Sequence, residues 1–125
     1  MGRFLPPKHD AGDANTVGGY RAVHERPAAF EGRDGSPYSV EIVTDEVREP
    51  AGRYGAYLLF VRWAYNGGVA AGHLETPYLE FADDERAAAE AVGAMRLSDA
   101  RRLLDELIAR DVRPERPWYD VMRDS

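Results

Sequence analysis

Three side chains near the middle of the chain have the types and spacing of a small catalytic or binding constellation. They are Arg62, and His73 with Glu75 in the stretch WAYNGGVAAGHLETP, residues 63 to 77. Alternate residues of a strand point to one side, so His73 and Glu75 project together. An imidazole beside a carboxylate and a guanidinium has the parts of a general base next to an anion-binding group. His-x-Glu also occurs in zinc deaminases, where the Glu shuttles protons, but those sites take further ligands from Cys, and this chain has none. A cross-strand cluster of opposite charges around a neutral His is, more simply, ordinary decoration of a sheet. The expectation is therefore that no residue is catalytic. The alternative is a small enzyme or ligand-binding domain with its pocket over Phe60, Arg62, His73 and Glu75.

The remaining chemical candidates are weaker in pattern. His9 stands next to Asp10 and His24 next to Glu25, without a second ligand at a metal-binding spacing. The acids Glu80, Asp83, Asp84 and Glu85 lack the spacing and the glycine of a calcium loop and read as helix-capping groups. Ser36 and Ser98 have no Gly-x-Ser-x-Gly setting, and Ser98 reads as a cap. The glycines of residues 66–72 form neither a dinucleotide nor a P-loop pattern. No metal and no cofactor are expected. The lack of cysteine also removes disulfides, thiolate nucleophiles and iron–sulfur clusters.

Charge narrows the partners. The formal net charge is −6, and phosphate binding needs clustered cations, so nucleic acid is not expected. Residues 1–62 carry 9 acidic and 8 basic side chains, residues 63–125 carry 13 and 8. That C-terminal excess permits a further reading, an acidic protein that occupies a nucleic-acid-binding partner. The longest apolar run, Tyr54 to Val61 broken by Gly55, falls far short of the roughly 20 residues that cross a bilayer. Met1 to Lys8 do not have the build of a secretory signal. No membrane association and a cytoplasmic location are expected.

The elements that position these groups follow from periodicity. Residues 1–36 are crowded with Gly, Pro, Asp and Asn and read as an extended arm, in which Phe4 and Leu5 precede Pro6 and Pro7 as an apolar docking peptide. From Tyr38 the pattern alternates: Tyr38, Val40 and Ile42 against Ser39, Glu41 and Val43. The run from Tyr54 to Tyr65 is apolar on both faces, as in a central strand. A turn at Asn66-Gly67 or Gly67-Gly68 returns the chain as a strand over Val69 to Thr76, Pro77 stops it, and Tyr78 to Phe81 is a short further strand or edge. The period then becomes 3.6. Asp83 or Asp84 caps a helix to Met95, and a second begins at Ser98 with the stripe Ala100, Leu103, Leu104, Leu107 and Ile108. Pro114 and Pro117 end it, leaving Trp118 and Tyr119 in a tail that docks on the body or on a partner.

This predicts an α+β fold: an antiparallel meander of three or four strands followed by two helices on one face, with an N-terminal arm (1–36), a single domain (37–112) and a C-terminal tail (113–125). Either two-residue turn puts His73 and Glu75 on the face of Leu58, Phe60 and Arg62, whereas a three-residue loop inverts this. Trp63 needs small cross-strand neighbours, which Ala70 and Gly72 supply, so Tyr57, Leu59, Val61 and Trp63 are expected to face the helices. Leu58, Phe60 and Arg62 are then left on an open apolar face. The functional expectation is a non-catalytic interaction module or accessory subunit that binds a protein partner or self-associates. Its contacts would be Phe4, Leu5, Leu58, Phe60, Arg62, Trp118 and Tyr119.

Overall fold

The computed structural model describes residues 13–48, 53–65 and 68–111. The chain runs through α1 (Val17–His24), β1 (Ala29–Glu31), β2 (Pro37–Val47), β3 (Arg53–Trp63), β4 (Ala70–Glu75), β5 (Glu80–Ala82), α2 (Glu85–Gly93) and α3 (Leu97–Asp111). All strand pairs are antiparallel, in the order β1-β2-β3-β4, with β5 also paired to β3. The α+β class, the meander and the two following helices agree with the sequence pattern. No described helix is long and apolar enough to cross a membrane.

Part of the stretch read as an extended arm, residues 1–36, is regular structure: Val17–His24 form α1 and Ala29–Glu31 form β1. Thr16 caps α1, its hydroxyl oxygen accepting from the Gly19 N–H at 3.0 Å, and Glu25 closes the helix with φ +59° while its N–H donates to the Arg21 carbonyl. The loop before α1 is stitched to the α2–α3 link: Val17 N–H donates to the Met95 carbonyl at 2.9 Å and Leu97 N–H to the Asn15 carbonyl at 2.7 Å. Gly18 and Gly93 allow the two helix backbones to touch, since a Cβ on Gly18 would lie 3.1 Å from Gly93 Cα. Phe4 and Leu5 lie outside the described residues.

Asp84 caps α2, accepting from the Ala87 N–H at 2.8 Å, as its place before the apolar run predicts. Ser98, read as a cap, lies instead inside α3, which begins one residue earlier at Leu97. The leucine stripe is correct in outline: Ala100, Leu104 and Ile108 are buried, and Leu103 and Leu107 pack against them.

The face that meets the helices is the reverse of the expected one. Leu58 and Phe60 are fully buried, each with 0% exposure. They pack with Tyr38, Val40 and Ala56 of the sheet against Val17, Ala88, Val92, Ala100, Leu104 and Ile108 of the helical layer. Two registers cause this. β2 pairs with β3 so that Val40 lies opposite Phe60 and Ile42 opposite Leu58, which puts the apolar row of β2 on the face of Leu58 and Phe60. β4 pairs with β3 so that Val61 lies opposite His73 and Leu59 opposite Glu75, with a bulge between Arg62 and Trp63 that brings Trp63 opposite Ala70. Next to the turn, Ala64 N–H donates to the Val69 carbonyl at 2.9 Å, the parity of the expected two-residue turn, and the bulge then shifts the pairing by one residue, which turns His73 and Glu75 to the face of Leu59 and Val61. Leu58 and Phe60 are therefore core residues and not partner contacts.

Beyond β4 the ladder is continued by a side chain. Thr76 is buried; its N–H donates to the Leu58 carbonyl at 3.0 Å, its Oγ1 accepts from the Leu58 N–H at 3.1 Å and donates to the Pro77 carbonyl at 2.8 Å. Leu79 N–H then donates to the Ala56 carbonyl at 2.8 Å, leading into β5.

Candidate functional site: the open face of the sheet

Residues opposite one another on antiparallel strands share a face, so the face turned away from the helices carries Ser39, Glu41, Val43 and Asp45 of β2. It continues with Tyr57, Leu59, Val61 and Trp63 of β3, and His73 and Glu75 of β4. Its middle is an apolar row along β3. Trp63 is fixed at one end by an indole N–H donated to Ser39 Oγ at 2.9 Å. At the other end Gly55 leaves room for a ring: a Cβ there would come within 2.6 Å of Tyr78 Cδ1. Tyr78 fills the place, 5.8 Å from Tyr57 in an edge-on contact and 5.5 Å from Phe81, and donates its hydroxyl to Asp45 Oδ2 at 3.0 Å. Tyr78 and Phe81 remain 41% and 49% exposed, which is high for large apolar rings held in one cluster. A shallow trough of about 390 Å³ runs beside Leu59 and Val61 toward Gly72, His73 and Glu75.

The two phenols stay protonated here. Burial pushes the Tyr57 hydroxyl up from its usual range, with the carboxylates of Glu75 and Asp45 adding to it. The hydrogen bond to Asp45 does the same for Tyr78, ahead of burial. Both are donors at neutral pH, and the face presents apolar surface fringed by hydroxyl, carboxylate and imidazole groups.

The sequence-predicted trio is divided. His73 and Glu75 lie exposed on the open face, whereas Arg62 pairs with Tyr38 in the register of the helical side. Its guanidinium donates to the Ala71 carbonyl at 3.1 Å. Arg62 and His73 border one small polar cleft of about 190 Å³ with Asp34, Tyr38 and Asp111; His73 and Glu75 border the trough. No described cavity holds all three, and Phe60 lies beneath the sheet, so the pocket expected over Phe60, Arg62, His73 and Glu75 is not formed. In the polar cleft Tyr38 donates its hydroxyl to Asp34 Oδ2 at 2.9 Å, and its pKa is pushed up to about 12, first by burial and then by that bond. A groove of about 510 Å³ between α1 and α2 has a floor of Gly18, Gly19, Ala89, Gly93 and Ala94; on its rim Arg86 is held by Glu90 at 3.1 Å.

Among the described residues no group of three or more His, Asp or Glu side chains is placed to hold a metal ion. Trp118 and Tyr119 lie outside the described residues. The sequence pattern set Tyr57 on the face expected to meet the helices and gave Tyr78 and Phe81 only a place in a short strand or edge. The signal for them was Gly55, whose missing side chain in an otherwise apolar strand marks a close approach by another group. Compared with known proteins, the chain matches no family model, no curated protein and no solved structure.

Proposed function

We propose that the chain is a non-catalytic protein-interaction module whose binding surface is the open face of the sheet, centred on Leu59, Val61, Trp63, Tyr57 and Val43. One observation carries this reading: the helices pack on the other face, and no described element covers this row. At a strand spacing of about 4.8 Å and a rise of about 3.3 Å per residue, the face from Ser39 to Asp45 across three strands measures roughly 300 Å², with the apolar row of β3 as its middle. A contiguous exposed apolar row rimmed by polar groups is a common mark of a contact surface. Its anatomy suits a protein partner, with aromatic and aliphatic side chains in the middle and charged groups at the rim. The division of Arg62 from His73 and Glu75 supports a binding role over a catalytic one.

The test compares the full chain with Leu59→Glu and Val61→Glu variants. Association is read by size-exclusion chromatography with light scattering and by affinity capture from the native host, and folding by circular dichroism. A complex that forms with the unaltered chain and is lost in both folded variants supports the reading. Absence of any complex, or one indifferent to both substitutions, refutes it.

A further inference from the structure

The outer margin of β2 is a second feature, separate from the open face. In an antiparallel ladder, residues of one parity turn their N–H and C=O groups to one neighbour and those of the other parity to the opposite neighbour. Val40 N–H donates to the Ala28 carbonyl at 3.0 Å, on the β1 side. Ile42, Thr44 and Glu46 therefore turn their backbone groups the same way. The pairing of β1 stops at Ser39, and no described strand lies beyond. Beside the start of this free stretch a notch of about 290 Å³ opens between Val17 and Arg21 of α1 and Val40, Glu41 and Ile42 of β2.

We infer that this margin accepts an extended segment of a partner protein, paired as an added strand, with Lys or Arg at alternate positions. Strand addition supplies main-chain affinity, and alternate side chains supply selection. The side chains flanking the margin are acidic. Glu41 and Asp45 lie on the open-face side, Glu46 on the helical side, and Glu85 accepts from Thr44 Oγ1 at 3.3 Å. Among the described residues, Arg21 meets Glu41 Oε1 with its guanidinium at 3.0 Å, Arg48 follows the strand end, and Arg53 and Arg86 pair with Asp83 and Glu90. The Arg21–Glu41 pair joins a helix on one side of the sheet to a side chain on the other, so it passes the margin of β2. It is exposed, and such pairs are weak. An incoming cation opposite Glu41 can take Arg21's place, and the side chain it turns toward Ile42 meets the notch.

The same charges argue against a second copy as the occupant. If two β2 margins pair, the three central registers place Asp45 opposite Val43, Glu41 or another Asp45. Two of these set like charges face to face, which destabilises a cross-strand pair, and the third sets a carboxylate against an apolar side chain.

The test uses the full ¹⁵N-labelled chain and synthetic nine-residue peptides, one alternating Lys and Val, one alternating Glu and Val, and a Lys–Val peptide N-methylated at every residue, so that neither of its edges can donate. In the free chain the Ile42, Thr44 and Glu46 amides should exchange fast with solvent while those of Glu41, Val43 and Asp45 are protected. The Lys–Val peptide should slow the three outward amides and bind about tenfold more tightly than the Glu–Val peptide at low salt, a gap that narrows at high salt. The methylated peptide should not bind. Thr44→Pro, which removes an outward donor and no ladder bond, should abolish binding with the fold retained. Outward amides already protected in the free chain, equal binding of both charged peptides, or binding that survives N-methylation would each overturn the inference.

Discussion

Leu58 and Leu59 are neighbours of identical composition on opposite faces of β3, and truncating each in turn separates the faces by energy. Leu58 is fully buried against Val40, Ile42 and the helical layer. Leu58→Ala removes buried methyl groups and leaves a void that close-packed neighbours fill only in part, a loss of about 2–5 kcal/mol. Against a total stability of about 5–15 kcal/mol for a domain of this size, that amounts to roughly 10–20 °C in melting temperature. Leu59 is half-buried on the open face, so Leu59→Ala gives up only part of its apolar area and creates no enclosed void. The expected loss is below about 1 kcal/mol. Urea unfolding followed by far-ultraviolet circular dichroism measures both, with the slope fixed between variants as the check on two-state behaviour. If Leu59→Ala costs as much as Leu58→Ala, the assignment of core and open face is wrong, and with it the proposed binding surface.

Thr76→Val keeps the shape but leaves the Leu58 N–H without its Oγ1 acceptor in a buried place, and should lower stability by about 1–3 kcal/mol in the same unfolding assay. Tyr38 holds its proton to about pH 12 in the folded chain and to about 10 when unfolded. The folded state therefore keeps a proton that the unfolded state releases, and stability should fall by about 2–3 kcal/mol as pH rises from 10 to 12. Tyr38→Phe should remove that part of the alkaline slope. Asp84→Ala takes away the acceptor for Ala87 N–H at the start of α2 and should cost about 1 kcal/mol in thermal unfolding.

The parts of the fold that sequence could state were those with a period. The alternation of Tyr38, Val40 and Ile42 gave β2, the apolar run gave β3 as the central strand, and the leucine stripe gave α3. What it could not state was which face of β3 is which, because both are apolar and the answer depends on connection parity. The five residues 48–52 between β2 and β3 join like parities, and the bulge at Arg62/Trp63 shifts the β3–β4 pairing by one residue. Neither a loop's parity nor a bulge leaves a trace in composition. The first set Leu58 and Phe60 on the apolar face of β2, and the second parted Arg62 from His73 and Glu75. Helix α1 was missed for a different reason: VGGYRAVH has two adjacent glycines, poor helix formers. Here one of them, Gly18, meets Gly93 at the crossing of α1 and α2, and tertiary contact outweighs propensity.

β3 has no free margin: β2 holds one side along its whole length, and β4 and β5 share the other, with Thr76 bridging the step between them. A strand anchored twice can lose either neighbour and stay in place, whereas β1 hangs on three residues of β2. The molecule should thus breathe from its periphery inward, β1 opening at little cost and β3 only with the collapse of the whole. Any event that must reach β3 itself, whether a protease cut or an exchange of partners, then draws on the stability of the entire domain.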